Sequence, residues 1–206
     1  MTSLNKGAMF GIDARIALAI FGALSVISGA ALYSAIQQAK TIQTSATFNE
    51  LSKAVEAYYI DTGSPLPENT PSSNTIYLGN LYSNYANVSG WNGPYFGTAS
   101  PNQFYLQFDV YGINRIYGTY RHTKADWGST LATVSPGGCT STDCYIYVYH
   151  AETHATNEGA SLENYFNNLD REVDNSDGPG LGKVRARITG VNFAMYYQIF
   201  PEYHKM

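Results

Sequence analysis

The sequence predicts an α+β fold, in which a long N-terminal α-helix packs on a mainly antiparallel β-sheet. Residues 16–36 carry no charged side chain. Residues 37–60 follow without glycine or proline, and apolar side chains recur there every three or four positions, which is typical of an amphipathic helix. The rest of the chain holds most of the 18 tyrosines, several of them in short alternating segments typical of strands. Only 14% of the 206 residues are charged, which excludes a highly charged disordered tail.

The N-terminal helix has a predicted membrane-spanning half and a clear end. The uncharged run is long enough to cross the hydrocarbon core of a bilayer as a helix. Thr62-Gly63, followed by two prolines, is a typical helix stop. We therefore expect three parts: a short leader at residues 1–8, a long helix at 9–63 with its membrane-spanning half at about 16–36, and a globular β-rich head at 64–206.

Three kinds of N-terminal segment contain such an apolar run. A secretory signal has a shorter apolar run and is cut after it, at small residues. Gly29-Ala30-Ala31 has the small residues of such a cleavage site. A plain signal anchor stays uncut and explains the length of the run. The third kind is cut in front of the run, and Lys6-Gly7-Ala8-Met9-Phe10 places small residues just before a bulky apolar one. Lys6 and Arg15 favour a cytoplasmic location for this end, so that the head lies outside.

Asp13 is the unusual residue at the mouth of the span. A carboxylate in this position is costly unless it has a partner. One interpretation is that Asp13 caps the start of an ordinary anchor helix, while Arg15 extends to the lipid headgroups. The other interpretation gives Asp13 a role in assembly with a second molecule.

The N-terminal residues resemble the type IV pilin and type II secretion pseudopilin family. That family carries a glutamate at mature position five, thought to neutralise the free amine of a neighbouring subunit. Cleavage before Met9 makes Asp13 the fifth mature residue, and cleavage before Ala8 makes it the sixth. Ala8 stands where the family nearly always has glycine, and aspartate replaces the glutamate.

Three later segments are similar to the same family and lie in the family's order. Leu51 to Pro65 looks like the helix end of pseudopilins, with a tyrosine, an acid, a glycine and a proline. Gly90-Trp-Asn-Gly-Pro-Tyr-Phe96 is similar to their Trp-x-Gly-Pro-Tyr segment. Leu169 to Arg185 looks like a short helix that reaches an Asp-rich turn, then a glycine and a basic strand.

The resemblance implies a pilin-like fold and a structural subunit of a type IV pilus or pseudopilus. A prepilin peptidase would cut the precursor at Gly7, Ala8 or Met9, and Asp13 would be the assembly residue. The partners would be copies of the same chain, other pilin-like subunits and an inner-membrane assembly platform. The precursor would lie in the inner or cytoplasmic membrane with its head outside, and the product would be an extracellular or periplasmic filament.

A rival hypothesis is a membrane-anchored exported domain that binds a glycan or DNA and forms no filament. Trp91 and Trp127, if exposed among the many tyrosines, would form a platform for such a ligand. An enzyme is a third hypothesis, but the chain has no GxSxG, P-loop or dinucleotide-binding pattern, and we expect no catalysis. The net charge of -4 gives no support to a general nucleic-acid-binding protein.

The head is predicted to contain about four strands and a short helix. In residues 145–149, three tyrosines alternate with Ile146 and Val148, which places the tyrosines on one face. Residues 68–100 are rich in Asn, Ser, Pro and Gly and are expected to form a long surface loop, with a short helix near 78–85. The strand candidates are 104–111, 115–121, 145–149, 183–188 and 192–200, and the helix candidate is 160–173.

Cys139 and Cys144 are the two cysteines of the chain. Their spacing is not that of a CxxC motif, and no nearby histidine or cysteine completes a zinc site. In an exported head we expect a disulfide across a tight turn, the alternative being a free redox pair.

The four histidines are scattered along the sequence, and we expect them on the surface. They are His122, His150, His154 and His204. His150 and His154 nevertheless have the spacing of a metal-ligand pair.

Two charged groups near the C-terminus allow more than one interpretation. Carboxylates bind hard cations, and some major pseudopilins bind calcium in C-terminal loops, so calcium is a possible cofactor. The alternative is a solvated turn that caps a helix. The candidate calcium residues are Asp170, Asp174, Asn175 and Asp177.

Alternation also predicts an exposed basic face on the strand near residues 183–188. This face would contact DNA phosphates or an acidic neighbour, or it would simply be solvated. Its residues are Lys183, Arg185 and Arg187.

One further pattern, Asn87-Val88-Ser89, has the sequence of an N-glycosylation acceptor. The pattern is short and often occurs by chance. Chance occurrence is therefore the favoured interpretation, and use as an acceptor is the alternative.

Overall fold

A computed structural model confirms the α+β class, with a long N-terminal helix and an antiparallel sheet. The chain forms two compact units, Met1–Ala39 and Lys40–Met206. The structure describes residues 7–68, 75–110, 113–137, 139, 144–153 and 159–201. The predicted leader lies outside these residues except for Gly7 and Ala8, of which the backbone alone is described.

The first helix, α1, spans Gly7–Thr62, close to the predicted residues 9–63. Its first part belongs to the first unit and its last part, from Lys40 onward, to the second. The helix ends where the sequence predicts. At this end Gly63 adopts a φ of 64° and donates its N–H to the Tyr59 carbonyl at 2.8 Å. Glycine reaches this left-handed conformation without the strain of a side chain.

In the second unit, α1 buries one face on the sheet. Phe48, Leu51, Val55 and Tyr58 follow one another at intervals of three or four residues, and none is more than 3% exposed. The Phe48 ring stacks on that of Tyr197 with 4.3 Å between the ring centroids. The spacing that predicts an amphipathic helix is therefore the spacing of its buried face.

Within the described residues the head has six strands and a second helix, α2, at Gly159–Asp174. The strands are β1 Ala99–Asn102, β2 Tyr105–Val110, β3 Ile113–Thr123, β4 Cys144–Thr153, β5 Val184–Thr189 and β6 Asn192–Pro201. They form one sheet in the order β1-β2-β3-β4-β6-β5, and all neighbouring strands are antiparallel. All five predicted strand segments are strands, but the expected total of about four is too low. The additional strand is β1, whose residues Ala99-Ser-Pro-Asn102 do not show the alternation of a strand and contain a proline.

The described part of the region between α1 and β1 is irregular, as its composition predicts, but one stretch of it is buried rather than on the surface. Ile76, Leu78 and Leu81 are completely buried in the main core. Leu78–Leu81 forms a short 3₁₀ turn in place of the expected helix. The Thr119 hydroxyl donates to the Ile76 carbonyl at 3.0 Å and holds this region on the sheet. A few apolar side chains at irregular intervals are enough to bury a segment that shows no periodicity.

Strand β4 has the predicted alternation, but both of its faces are covered. Ile146 and Val148 lie in the main core, on the side of α1. Tyr147 lies on the opposite side in a second core with Trp127 and Tyr196. The aromatic face of the sheet is therefore partly packed rather than fully exposed.

Replacing Phe48 by alanine is expected to lower the free energy of unfolding of the head by about 3–5 kcal/mol, because it removes a buried ring and leaves a cavity. Ile60→Ala, at a position of α1 that is 71% exposed, is the control. It is expected to change the free energy of unfolding by less than about 0.5 kcal/mol. Urea denaturation of a fragment covering residues 40–206, which contains both cores, measures the two effects. Equal losses in the two variants would contradict the burial of this helix face.

Candidate functional site

The part of α1 in the first unit is apolar and exposed. Ile12, Leu18, Phe21 and Val26 each expose more than half of their surface. Among the described residues, α1 is the one helix with the length and composition of a membrane span, and its mean hydropathy reaches 2.1. An N-terminal signal sequence has the same properties. By length and composition, this segment is suited to be a membrane anchor or a signal.

Asp13 lies inside α1 and not at its start. The helix begins at Gly7, which places Asp13 in the second turn, whereas an N-cap residue precedes the first turn. The expectation that Asp13 caps the helix is therefore wrong. Asp13 is exposed, and no ion pair to it is found among the side chains that the structure describes. The predicted cleavage residues, from Gly7 to Met9, form the first turn of the same helix.

Three of the four predicted calcium residues come together where α2 ends. Asp170, Asp174 and Asp177 each place one carboxylate oxygen within 4.8 Å of the others. Asn175 is exposed and has a φ of 56°, the left-handed conformation common at helix ends, and it is not part of this group. Gly182 approaches from the next loop so closely that a Cβ atom there would lie 2.6 Å from oxygens of Asp174 and Asp177. The acidic cluster, Asp170, Asp174 and Asp177, is thus closed on one side by a residue without a side chain.

Asp170 is the buried member of the acidic cluster. It is 4% exposed, and its Oδ1 atom has no hydrogen-bond partner among the described residues. Burial and the neighbouring carboxylates raise the pKa of Asp170 to about 6. Asp174 is half-buried and Asp177 is exposed, so solvent reaches the cluster and the alternative of a solvated turn stands. The unused oxygen of Asp170 also suits a hard cation, which prefers oxygen ligands.

Asp174 has a structural role as well. One of its oxygens accepts the backbone N–H groups of Lys183 and Val184 at 2.8 and 2.7 Å. These bonds connect the last turn of α2 to the start of β5. They also leave the other carboxylate oxygen of Asp174 available, since a carboxylate accepts several bonds. Asp174 can therefore hold the start of β5 with one oxygen and bind a cation with the other.

The exposed basic face predicted for Lys183, Arg185 and Arg187 is not present. Arg185 is 3% exposed, and its guanidinium lies 4.4 Å from the centre of the Trp127 ring. It also donates to two backbone carbonyls after β3, at 2.7 and 2.9 Å. Lys183 is exposed but precedes β5, and Arg187 is half-buried. Because the segment between β3 and β4 covers this face, Arg185 is not accessible to DNA phosphates.

The two tryptophans do not form an exposed platform. Trp127 is 5% exposed and lies in the second core. Trp91 is half-buried, and its Nε1–H donates to the Asn80 carbonyl at 2.7 Å. Its ring meets that of Tyr95 edge to face, with 5.7 Å between the ring centroids. Both tryptophans stabilise the head, which removes the feature that favoured a ligand platform.

The described histidines are not surface residues. His150 is 3% exposed on β4, and neither ring nitrogen has a hydrogen-bond partner among the described residues. His122 is also mostly enclosed, and its Nδ1 lies 3.0 Å from the Gly137 carbonyl oxygen. His154 and His204 lie outside the described residues. The predicted His150–His154 pair is therefore not tested.

Two further interactions, one local and one between distant residues, stabilise the head. Cys139 and Cys144 form the predicted disulfide, with 5.8 Å between their Cα atoms. Arg115 on β3 and Glu152 on β4 form an ion pair, with 3.0 Å between Nε and Oε2. This ion pair was not predicted, because it depends on strand register and no local sequence pattern indicates it.

Comparison of the chain with protein-family models, with curated proteins and with solved structures gave no match. The residues of this chain provide an exposed apolar part of α1 with one carboxylate, Asp13, and an acidic cluster in the head.

Calcium is expected to stabilise the head through Asp170. At a calcium concentration of about 100 times Kd, binding raises the free energy of unfolding by about 2.7 kcal/mol. Asp170→Asn should abolish this gain, because it removes the buried negative charge at nearly constant shape. Glu163→Gln makes the same kind of change at an exposed position of α2 and should keep the gain. Thermal unfolding of fragment 40–206, with calcium and with a chelator, measures it, and an equal calcium response in wild type and D170N would contradict a site at Asp170.

Acid is expected to destabilise the head through His150. Burial, and secondarily the charge of Arg115, lowers the pKa of His150 to about 3, whereas an unfolded histidine has a pKa of about 6.5. Between these values the unfolded chain binds a proton that the folded chain excludes, so stability falls as the pH drops from about 6.5 towards 3.

His150→Leu should weaken this loss. Urea denaturation of fragment 40–206 over the acid range measures the slope of stability against pH. Asp170, whose raised pKa has the opposite effect, is common to both proteins and cancels in the comparison. The same slope in wild type and H150L would show that His150 does not cause the acid sensitivity.

Proposed function

We propose that this chain is a structural subunit of a type IV pilus or pseudopilus filament, assembled through its N-terminal helix. The observation that carries the proposal is the exposed apolar part of α1, which continues as one helix into a head with its own core. Apolar surface of this extent requires cover from water. Lipid covers it in the membrane-inserted precursor, and copies of the same helix cover it in the filament.

Glycines in this segment support close packing between copies. Apart from its chain neighbours and the backbone of its own helix turn, a Cβ atom placed on Gly22 or Gly29 would meet no atom within 4 Å among the described residues. In apolar surroundings, small residues let helix backbones approach closely, which favours helix–helix association. These positions are thus available to a second molecule, and they suit a core built from α1 helices.

Asp13 provides the polar contact of the proposed assembly. Among apolar helices an unpaired carboxylate is costly, so its presence calls for a positive partner. The N-terminal amine that cleavage near Met9 creates on a neighbouring copy is such a partner. Because Asp13 lies in the second turn of α1, it does not have the competing role of an N-cap.

Two features support a head outside the cytoplasm. Lys6 and Arg15 lie on the N-terminal side of the span, where positive charges favour a cytoplasmic location. The disulfide between Cys139 and Cys144 is of a kind that persists in oxidising compartments. The precursor would therefore insert in the inner or cytoplasmic membrane, meet a prepilin peptidase and an assembly platform there, and join an extracellular or periplasmic filament with other pilin-like subunits.

The proposal is tested first on protein sheared from its native cells. Intact mass and N-terminal sequence should show a start at Ala8 or Met9 with the rest of α1 retained, and electron microscopy should show filaments. An uncut Met1, or a start beyond Ala30, would contradict the proposal. Either result would favour the rival hypothesis of an anchored or secreted ligand-binding domain.

Asp13→Asn is expected to abolish filaments while leaving membrane insertion and cleavage intact, because it removes the charge that meets the amine. Asp13→Glu keeps the charge and is the matched control, which should retain filaments. The amount of subunit in the sheared fraction, compared with that in the membrane, measures both effects. Filaments at the wild-type level in D13N would exclude the proposed pairing.

A further inference from the structure

The sequence contains one Asn-x-Ser/Thr pattern without an intervening proline, at Asn87-Val88-Ser89. It lies between the 3₁₀ turn Leu78–Leu81 and β1, in the head. Asn87 and Ser89 are exposed, whereas Val88 between them is half-buried and packs against the main core. The two side chains that an oligosaccharide-transferring enzyme must reach are thus on the surface, and the residue between them anchors the turn.

Asn87 lies in a turn that the side chain of Asn84 stabilises. The Asn84 side chain accepts the Val88 N–H at 2.7 Å and donates to the Val88 carbonyl at 3.0 Å. Asn87 itself has a φ of 51°, a left-handed conformation that asparagine tolerates better than most residues. No hydrogen bond of its carboxamide is found within the described part of the chain. The turn therefore does not depend on the Asn87 side chain, which is free to react.

An exposed aromatic ring stands next to this asparagine in the sequence. Tyr85, two residues before Asn87 in the same turn, is 40% exposed, and Tyr82 is 41% exposed. Aromatic rings have an apolar face and, in tyrosine, a polar tip. They are suited to pack against the C–H groups of a first sugar residue while its hydroxyls remain in water.

We infer that Asn87 is the attachment site of an N-linked oligosaccharide. The donor would be an oligosaccharide carried on a lipid pyrophosphate. The Asn87 Nδ2 atom forms a bond to the anomeric carbon, the bond from that carbon to the pyrophosphate oxygen breaks, and the lipid pyrophosphate leaves with the bonding electrons. The carboxamide loses one proton, and nothing is oxidised or reduced. The inference rests on the export of the head that the proposed function includes.

The test is the intact mass of the chain from its native cells, before and after treatment with an enzyme that removes N-linked glycans. Wild type should carry the mass of one oligosaccharide, and peptide mapping should place it on the peptide that contains Asn87. Ser89→Ala should lose the whole of this mass, because it removes the hydroxyl of the acceptor pattern while Asn87 and its turn stay intact. Ser89→Thr is the matched control, which keeps the acceptor pattern and should keep the glycan.

Filaments and the Cys139–Cys144 disulfide, measured in the same sample, separate the two inferences. An unmodified chain in filaments, with the disulfide formed, overturns the glycan and leaves the proposed function intact. An unmodified chain with reduced cysteines and no filaments contradicts both. A glycan that persists in S89A overturns the assignment to Asn87.

Discussion

The head depends on the contact between the second part of α1 and the sheet. Phe48 stacks on Tyr197 of β6 and meets Phe108 of β2 and Tyr117 of β3 edge to face, at centroid distances of 6.2 and 6.0 Å. One helical side chain thus contacts three strands. The helix that carries the apolar N-terminal segment is for this reason also a core element of the head.

Charged groups in the head are stabilised in different ways, and one of them is not fully satisfied. Arg115 pairs with Glu152 across neighbouring strands, and Arg185 is held by aromatic rings and backbone carbonyls. Such groups tolerate burial because their hydrogen-bonding atoms are paired. Asp170 differs, since one of its oxygens has no partner among the described residues and two other carboxylates lie close to it. A hard cation is one ligand that would remove this imbalance.

Alternation along β4 shows how far sequence reasoning reaches. It assigns Ile146 and Val148 to the core face correctly, and the same period of two places His150 on that face. The burial of this histidine was therefore predictable, although histidines as a class are often exposed. Alternation at Arg185 is equally correct about the two faces of β5. Alternation does not predict the solvent exposure of Arg185, because the loop that covers this face follows β3 and is distant in sequence.

The sequence by itself determined the helix α1, its apolar half, five of the six described strands and the disulfide. Each of these depends on residues that are near neighbours along the chain, so periodicity, turn residues and spacing report them. The tertiary structure alone decided the burial of Arg185 and the pairing of Arg115 with Glu152. It also brought Asp170, Asp174 and Asp177 into one group and excluded Asn175. These features depend on strand register and on which loop lies over which face, and contacts between distant residues set both.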